Sequence, residues 1–245
     1  PMQCEPTHSG YPRGVSDHPH RGFETVTIVY DGEVEHRDST GAGGVIGPGD
    51  VQWMTAGGGI MHREFHSQAF SEKGGAFEMV QFWVNLPALH KLTPAHYQGI
   101  KADAIAAASL PDHAGRVRVI AGAFNGAKGP ATTYTPMNVW DVRLQAGKTA
   151  SLPQPEGWTT LLFVQAGSVH VNGQEAQAGQ LVALSREHTG LGLQAAGSGD
   201  ARLLLLAGEP IDEPIVASGP FVMNTAAEVA AAYNDLTFGK FTHIE

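Results

Sequence analysis

The sequence predicts an all-β chain: two sandwich or jelly-roll domains and a short C-terminal helix. Three observations carry this. Short runs rich in Val, Ile, Thr and aromatic residues recur between turn residues. They fall into two series, divided by a stretch of different character at residues 90–115. One segment near the carboxyl end opens on a capping signal and continues rich in alanine.

The first series begins at residues 25–30 (TVTIVY), followed by Asp31-Gly32 and residues 33–38 (EVEHRD). Asp-Gly between two such runs predicts a hairpin. Residues 45–46, the turn Gly47-Pro48-Gly49-Asp50, and residues 51–55 (VQWMT) come next. Gly57-Gly58-Gly59 allows tight backbone passage and opens residues 60–66 (IMHREFH). Residues 77–86 (FEMVQFWVNL) close the series. Residues 90–115 mix polar residues, Pro94 and an alanine-rich stretch, and read as the connection between domains. The second series comprises residues 116–120, 140–144, 159–165, 169–172, 181–184 and 202–207. Thr225 with Glu228 three later has the form of a capping box, so residues 225–235 are expected to be helical. The expected domains are therefore 1–112 and 113–245, the helix belonging to the second.

Composition excludes several functions. Glycine (31) and proline (15) make up roughly 19% of 245 residues, below the level of a low-complexity chain. Hydrophobic residues are 42% and charged residues 16%, which disfavours disorder. The net charge is −9 and both halves are acidic, so direct binding to nucleic-acid phosphates is not expected. The longest aliphatic run, residues 203–207, is far short of the ~20 that a membrane helix needs. Cys4 is the single cysteine, so no internal disulfide can form. With no signal-peptide pattern at the start, a cytoplasmic setting is expected, or a nuclear one in a eukaryote. Cys4 has no evident base beside it and is not read as a nucleophile. Gly147-Lys148-Thr149 resembles the end of a phosphate loop, but Val142 stands where the first glycine is required.

The candidate chemistry lies in two short patterns. In His18-Pro19-His20, residues i and i+2 of an extended strand share a face, so two imidazoles can chelate one metal. With 12 histidines in 245 residues, chance gives roughly 0.6 such pairs, so the pair needs a second donor set. His62-Arg63-Glu64 offers one, an imidazole and a carboxylate on one face. Together they supply three nitrogens and one anionic oxygen, a set for a first-row transition metal with open positions. Arg21 and Arg63 alternate with these residues and should point away. His36 and His66 read as bystanders, and His170 and His188 stand alone. Phe23, Trp53, Met54 and Met61 are core residues or walls of a dry pocket.

Residues 18–25 (HPHRGFET), taken with Gly47-Pro48-Gly49-Asp50, resemble the paired motifs of the cupin superfamily. Residues 18–25, 48–64 (PGDVQWMTAGGGIMHRE), 81–87 (QFWVNLP) and 207–225 resemble the pirin family, over most of the chain. The resemblance implies a bicupin with metal only in the N-terminal domain, held by His18, His20, His62 and Glu64. It implies one divalent ion, usually Fe(II). It implies either a quercetin 2,3-dioxygenase-like enzyme or an iron-dependent redox sensor. The enzyme would take a flavonol and dioxygen, with Glu64 as the general base and loss of carbon monoxide on ring cleavage. The sensor would bind a partner protein, a transcription cofactor or a metabolic enzyme, without turnover. Glu24, a ligand in many cupins, becomes a supporting or sandwich-edge group in pirins. Pirins carry a few dozen residues before the His-Pro-His motif, whereas 17 precede His18, so part of the first sandwich is expected to be missing or rebuilt.

Overall fold

The computed structural model describes residues 1–7, 13–187 and 190–241, so His188 lies outside the described residues. The chain forms two compact units. The first joins Pro1–Ala102 to Ile211–Glu245, and the second is Asp103–Pro210.

The first unit opens with β1 (Met2–Cys4), β2 (Gly14–His20), β3 (Phe23–Asp31), β4 (Val34–Asp38), β5 (Gly43–Ile46), β6 (Val51–Thr55) and β7 (Ile60–His66). Helix α1 (Gln68–Lys73), β8 (Gly75–Asn85) and β9 (His96–Ile100) follow. They make two antiparallel sheets, ordered β1-β8-β3-β6-β9 and β2-β7-β4-β5. Residues ahead of His18 thus supply β1, with Cys4 opposite Gly75, and the start of β2.

Two expectations are corrected here. Asp31-Gly32 does not close a hairpin: β3 pairs with β6 and β8, whereas β4 pairs with β5 and β7. The chain arches from one sheet to the other, because β3 and the alternating Val34, His36 and Asp38 bury the same interior from opposite walls. Gly32 makes the arch with φ of 82°, where a Cβ would lie 2.7 Å from the Phe77 ring. Residues 90–115 are not all connection either. β9 falls within them and pairs with β6, Tyr97 opposite Met54. Its sequence, HYQGI, has too little β-branched character to announce a strand.

The second unit runs β10 (Ala107–Ser109), β11 (Gly115–Ala121), β12 (Ala123–Phe124), β13 (Ala127–Lys128), β14 (Met137–Leu144) and β15 (Thr149–Pro153). It continues with β16 (Thr159–Ala166), β17 (Ser168–Val171), β18 (Gln174–Gln177), β19 (Leu181–Leu184), β20 (Gly190–Ala196) and β21 (Ala201–Gly208). Its main sheets are β10-β11-β14-β21-β16-β19 and β15-β20-β17-β18. One continuous apolar core fills it, including Val117, Trp140, Val142, Leu162, Leu193 and Leu203.

The carboxyl end forms β22 (Val216–Ser218), β23 (Phe221–Met223) and α2 (Ala226–Thr237). The capping box is present: the Glu228 N–H donates to Thr225 Oγ1 at 3.2 Å, and the Thr225 N–H to Glu228 Oε2 at 2.8 Å. This segment packs in the first unit, not the second where the sequence reading put it. Ala232 of α2 joins Phe221 and Phe241 in a cluster against Met61. Polar groups fasten it further. Arg21 donates from Nε to the Gly58 carbonyl at 2.7 Å and from Nη1 to Asp235 at 2.9 Å, and its guanidinium lies 4.7 Å from the Phe241 ring centroid. At Gly59 an added Cβ would fall 2.4 Å from that ring. Lys91, 2% exposed, donates to the carbonyls of Gly22 and Val222 and to Asn85 Oδ1 at 2.8–2.9 Å.

Lys91→Met should therefore lower unfolding free energy by about 3 kcal/mol, because it leaves two buried carbonyls unpaired. Urea denaturation measures this, and a change below about 1 kcal/mol would contradict the clamp. Asp50 gives a pH-dependent test. It accepts from the Gly47 and Ala102 N–H groups and from Lys101 Nζ at 2.8–3.1 Å. Burial acts to raise its pKa, but these donors outweigh burial and hold the carboxyl below its ordinary value. A lowered carboxyl pKa contributes stability in full above the unfolded value and loses it as pH falls through the folded one. Asp50→Asn should thus cost about 1–2 kcal/mol at neutral pH, a gap that narrows below about pH 4.

Candidate metal centre

The pairing of β2 with β7 builds the site. His18 lies directly opposite His62, and His20 opposite Ile60. Directly opposed residues share a face, as do i and i+2, so the three imidazoles converge. Their ring centroids are 4.1 Å (His18–His62), 4.9 Å (His18–His20) and 4.9 Å (His20–His62) apart. One ring nitrogen from each lies within 4.8 Å of the others. Glu64 is two residues beyond His62 on the same face. A register shift in β2 between Val15 and His18 sets Val15 opposite it. Its two carboxylate oxygens accept from Gln81 Nε2 at 3.1 and 3.0 Å. Three of the four expected residues thus form one tight cluster, and the fourth stands at its flank.

The donor chemistry fits a metal. His20 Nδ1 and both ring nitrogens of His62 are buried without a hydrogen-bond partner. Such atoms are costly to leave unpaired, and a cation at the cluster would satisfy one nitrogen of each ring. His18 Nδ1 lies 2.8 Å from the Ser16 carbonyl, the arrangement that fixes a ligating tautomer and leaves Nε2 as donor. Burial, then the neighbouring His18, pulls His20 down to about 4, with a backbone hydrogen bond to Pro220 acting against them. Burial, then His18, His20 and His36, pulls His62 down to about 2. Both are therefore neutral at ordinary pH, the form that ligates. Burial raises the Glu64 pKa, and hydrogen bonds from Gln81 and Thr27 with the charge of His18 oppose that.

The opposite sheet supplies the facing wall. β8 and β3 pair with Gln81 opposite Thr27 and Trp83 opposite Thr25, and β6 places Gln52 opposite Thr27. Because Gln81 touches Glu64, this whole face meets the cluster. Trp83 lies 5.6 Å from the His20 ring and 4.2 Å from Phe23, yet is 50% exposed. Thr25 Oγ1 and both amide atoms of Gln52 are buried without a protein partner.

Other singled-out residues separate cleanly. Glu24 points to the other face of β3, where its carboxylate accepts from Thr55 Oγ1 at 2.6 Å. Arg63 faces outward, 3.6 Å from Asp17. Met54 shares the facing wall, Trp53 lies on the opposite face of β6, and Met61 packs on the carboxyl-terminal cluster. His66 packs against Phe70, edge to face, and Phe77. His36 is more than a bystander. It is the cross-strand partner of Glu64, buried, and its Nε2 lies 2.6 Å from the Tyr97 hydroxyl. Sequence reasoning passed over Gln81, Trp83, Thr27, Gln52 and Tyr97. The signal was the i, i+2 alternation of Gln81 and Trp83 inside a run that reads as merely apolar. His170 lies on β17 of the second unit, outside the histidine cluster.

Comparison with known proteins agrees with this architecture. The Pirin family model matches residues 1–84, and the model of the pirin C-terminal cupin domain matches residues 139–242. A Pseudomonas aeruginosa protein provisionally named quercetin 2,3-dioxygenase is 52% identical over 229 residues, 94% of this chain and 79% of that protein. A pirin-like protein of Arabidopsis thaliana is 41% identical over 234 residues, 91% of this chain and 74% of its own length. A crystal structure of a quercetin 2,3-dioxygenase from Acinetobacter baumannii superposes with a TM-score of 0.93 at 51% identity, covering 98% of this chain and 82% of that one. From its two cupin-like units, its histidine cluster and these matches, the chain belongs to the pirin family.

Proposed function

We propose that this chain is a metal-dependent dioxygenase that opens the ring of a flavonol such as quercetin. The carrying observation is the juxtaposition of three converging imidazoles and a carboxylate with a half-exposed tryptophan. The set His18, His20, His62 and Glu64 would hold one divalent ion, which we take to be Fe(II). When bound, that ion supplies a Lewis acid and a redox partner for dioxygen.

The chain's own residues do the rest. Trp83, backed by Phe23, offers a flat face on which a planar aromatic ring stacks. Gln52 and Thr25 offer buried polar atoms suited to the oxygens of a hydroxylated substrate. Glu64 takes the proton of the enolic hydroxyl, leaving an electron-rich enolate for oxidation. Both oxygen atoms of dioxygen enter the ring-opened ester, one ring carbon leaves as carbon monoxide, and Glu64 returns its proton to the product. Met54 and Phe23, both buried, keep that part of the wall apolar and dry.

Anaerobic reconstitution with Fe(II), then quercetin and air, should give matched consumption of flavonol and oxygen with release of carbon monoxide. His62→Ala should abolish it. Equal flavonol loss by the two proteins would defeat the proposal, and partner-protein capture that depends on the iron oxidation state would favour the redox-sensor reading instead. Glu64→Gln should lower kcat by about 10²-fold or more. Trp83→Ala should act mainly on KM, raising it about three- to tenfold, and a pure kcat effect would argue against stacking.

A further inference from the structure

We propose that Gln81 is the positioning residue that presents Glu64 to the imidazole cluster as its fourth donor. The inference rests on the metal-centre reading. Glu64 is not part of the tight group formed by the three histidines, so something must orient its carboxylate toward them. Gln81 and Thr27 both hydrogen-bond it, and Gln81 spans its two oxygens. Gln81 Nε2 lies 3.1 Å from Glu64 Oε1, 3.0 Å from Oε2 and 2.9 Å from Thr27 Oγ1.

An amide NH2 carries two protons and an ionised carboxylate only accepts. One N–H therefore goes to Thr27, and the other is shared between the two carboxylate oxygens. Sharing one donor across both oxygens fixes the plane of the carboxylate and leaves each oxygen lone pairs for a cation. The anchor is stiff, because Thr27 and Gln81 are cross-strand partners in the β3–β8 ladder. Glu64 hangs from β7 of the other sheet. Gln81 thus reaches across the sandwich and ties the acidic donor of one sheet to the backbone register of the other. It touches no ligating nitrogen and acts through Glu64 alone.

The test is a cobalt(II) titration of the full chain, followed by the visible d–d bands and the dissociation constant. The proteins are the parent, Gln81→Leu, Gln81→Met, Glu64→Gln and the double variants. Thermal unfolding without metal serves as a control for folding. In the Glu64 background, either Gln81 variant should weaken cobalt binding about tenfold or more and give the band pattern of Glu64→Gln. In the Glu64→Gln background, the same changes should shift affinity by less than about twofold. Unchanged affinity and bands in Gln81→Leu and Gln81→Met would overturn the inference. So would equal weakening in both backgrounds, which would mark a structural role. Failure of the parent itself to bind cobalt would overturn the metal-centre reading, and this inference with it.

Discussion

The antiparallel register of β2 against β7 is the constraint on which the site depends. Side chains alternate between faces with a period of two, so a slip of one residue would turn the imidazoles outward. In the observed register His18 sits opposite His62, and His20 follows two residues on. The shift between Val15 and His18 then sets Val15, rather than Ser16, opposite Glu64, whose other strand partner is His36. Bulges of this kind re-aim side chains beside active sites.

The two units put similar architecture to different uses. The second is filled by one apolar core, which suits close packing and stability. The first also holds buried polar and ionisable groups in its interior, His20, His36, Asp38, Gln52 and His62 among them. Several of these atoms lack a protein partner, and burying such atoms costs free energy. Burial also drives the imidazoles toward neutrality, which keeps their lone pairs available.

Much of this was legible in the residues. The strand runs, the two series and the capping box at Thr225 follow from local pattern, and local pattern is what short elements obey. The two His-containing motifs were legible because i, i+2 spacing in a strand has one geometric meaning. The arch at Asp31-Gly32 was not, since a hairpin and an inter-sheet turn use the same residues. β9 was not, because HYQGI is held by its pairing with β6 rather than by propensity. Gln81 was hidden for a related reason. A glutamine in a run of Phe, Trp and Val acquires its role only when the opposite sheet sets a carboxylate beside it. The return of the carboxyl-terminal segment to the first unit depends on contacts such as Arg21 with Asp235, more than 200 residues apart, which no local pattern encodes.

That return has a consequence for how the protein is made. The second unit, Asp103–Pro210, is an insertion within the first. Ribosomes add about 5–20 residues each second, so this insertion separates the two parts of the first unit by an interval on the order of 5–20 s. During that time the histidine-bearing strands are outside the ribosome while Arg21 and Lys91 wait for partners not yet synthesised. The inserted unit, contiguous in sequence and closed by its own core, can complete its fold meanwhile. The domain begun first is the one finished last.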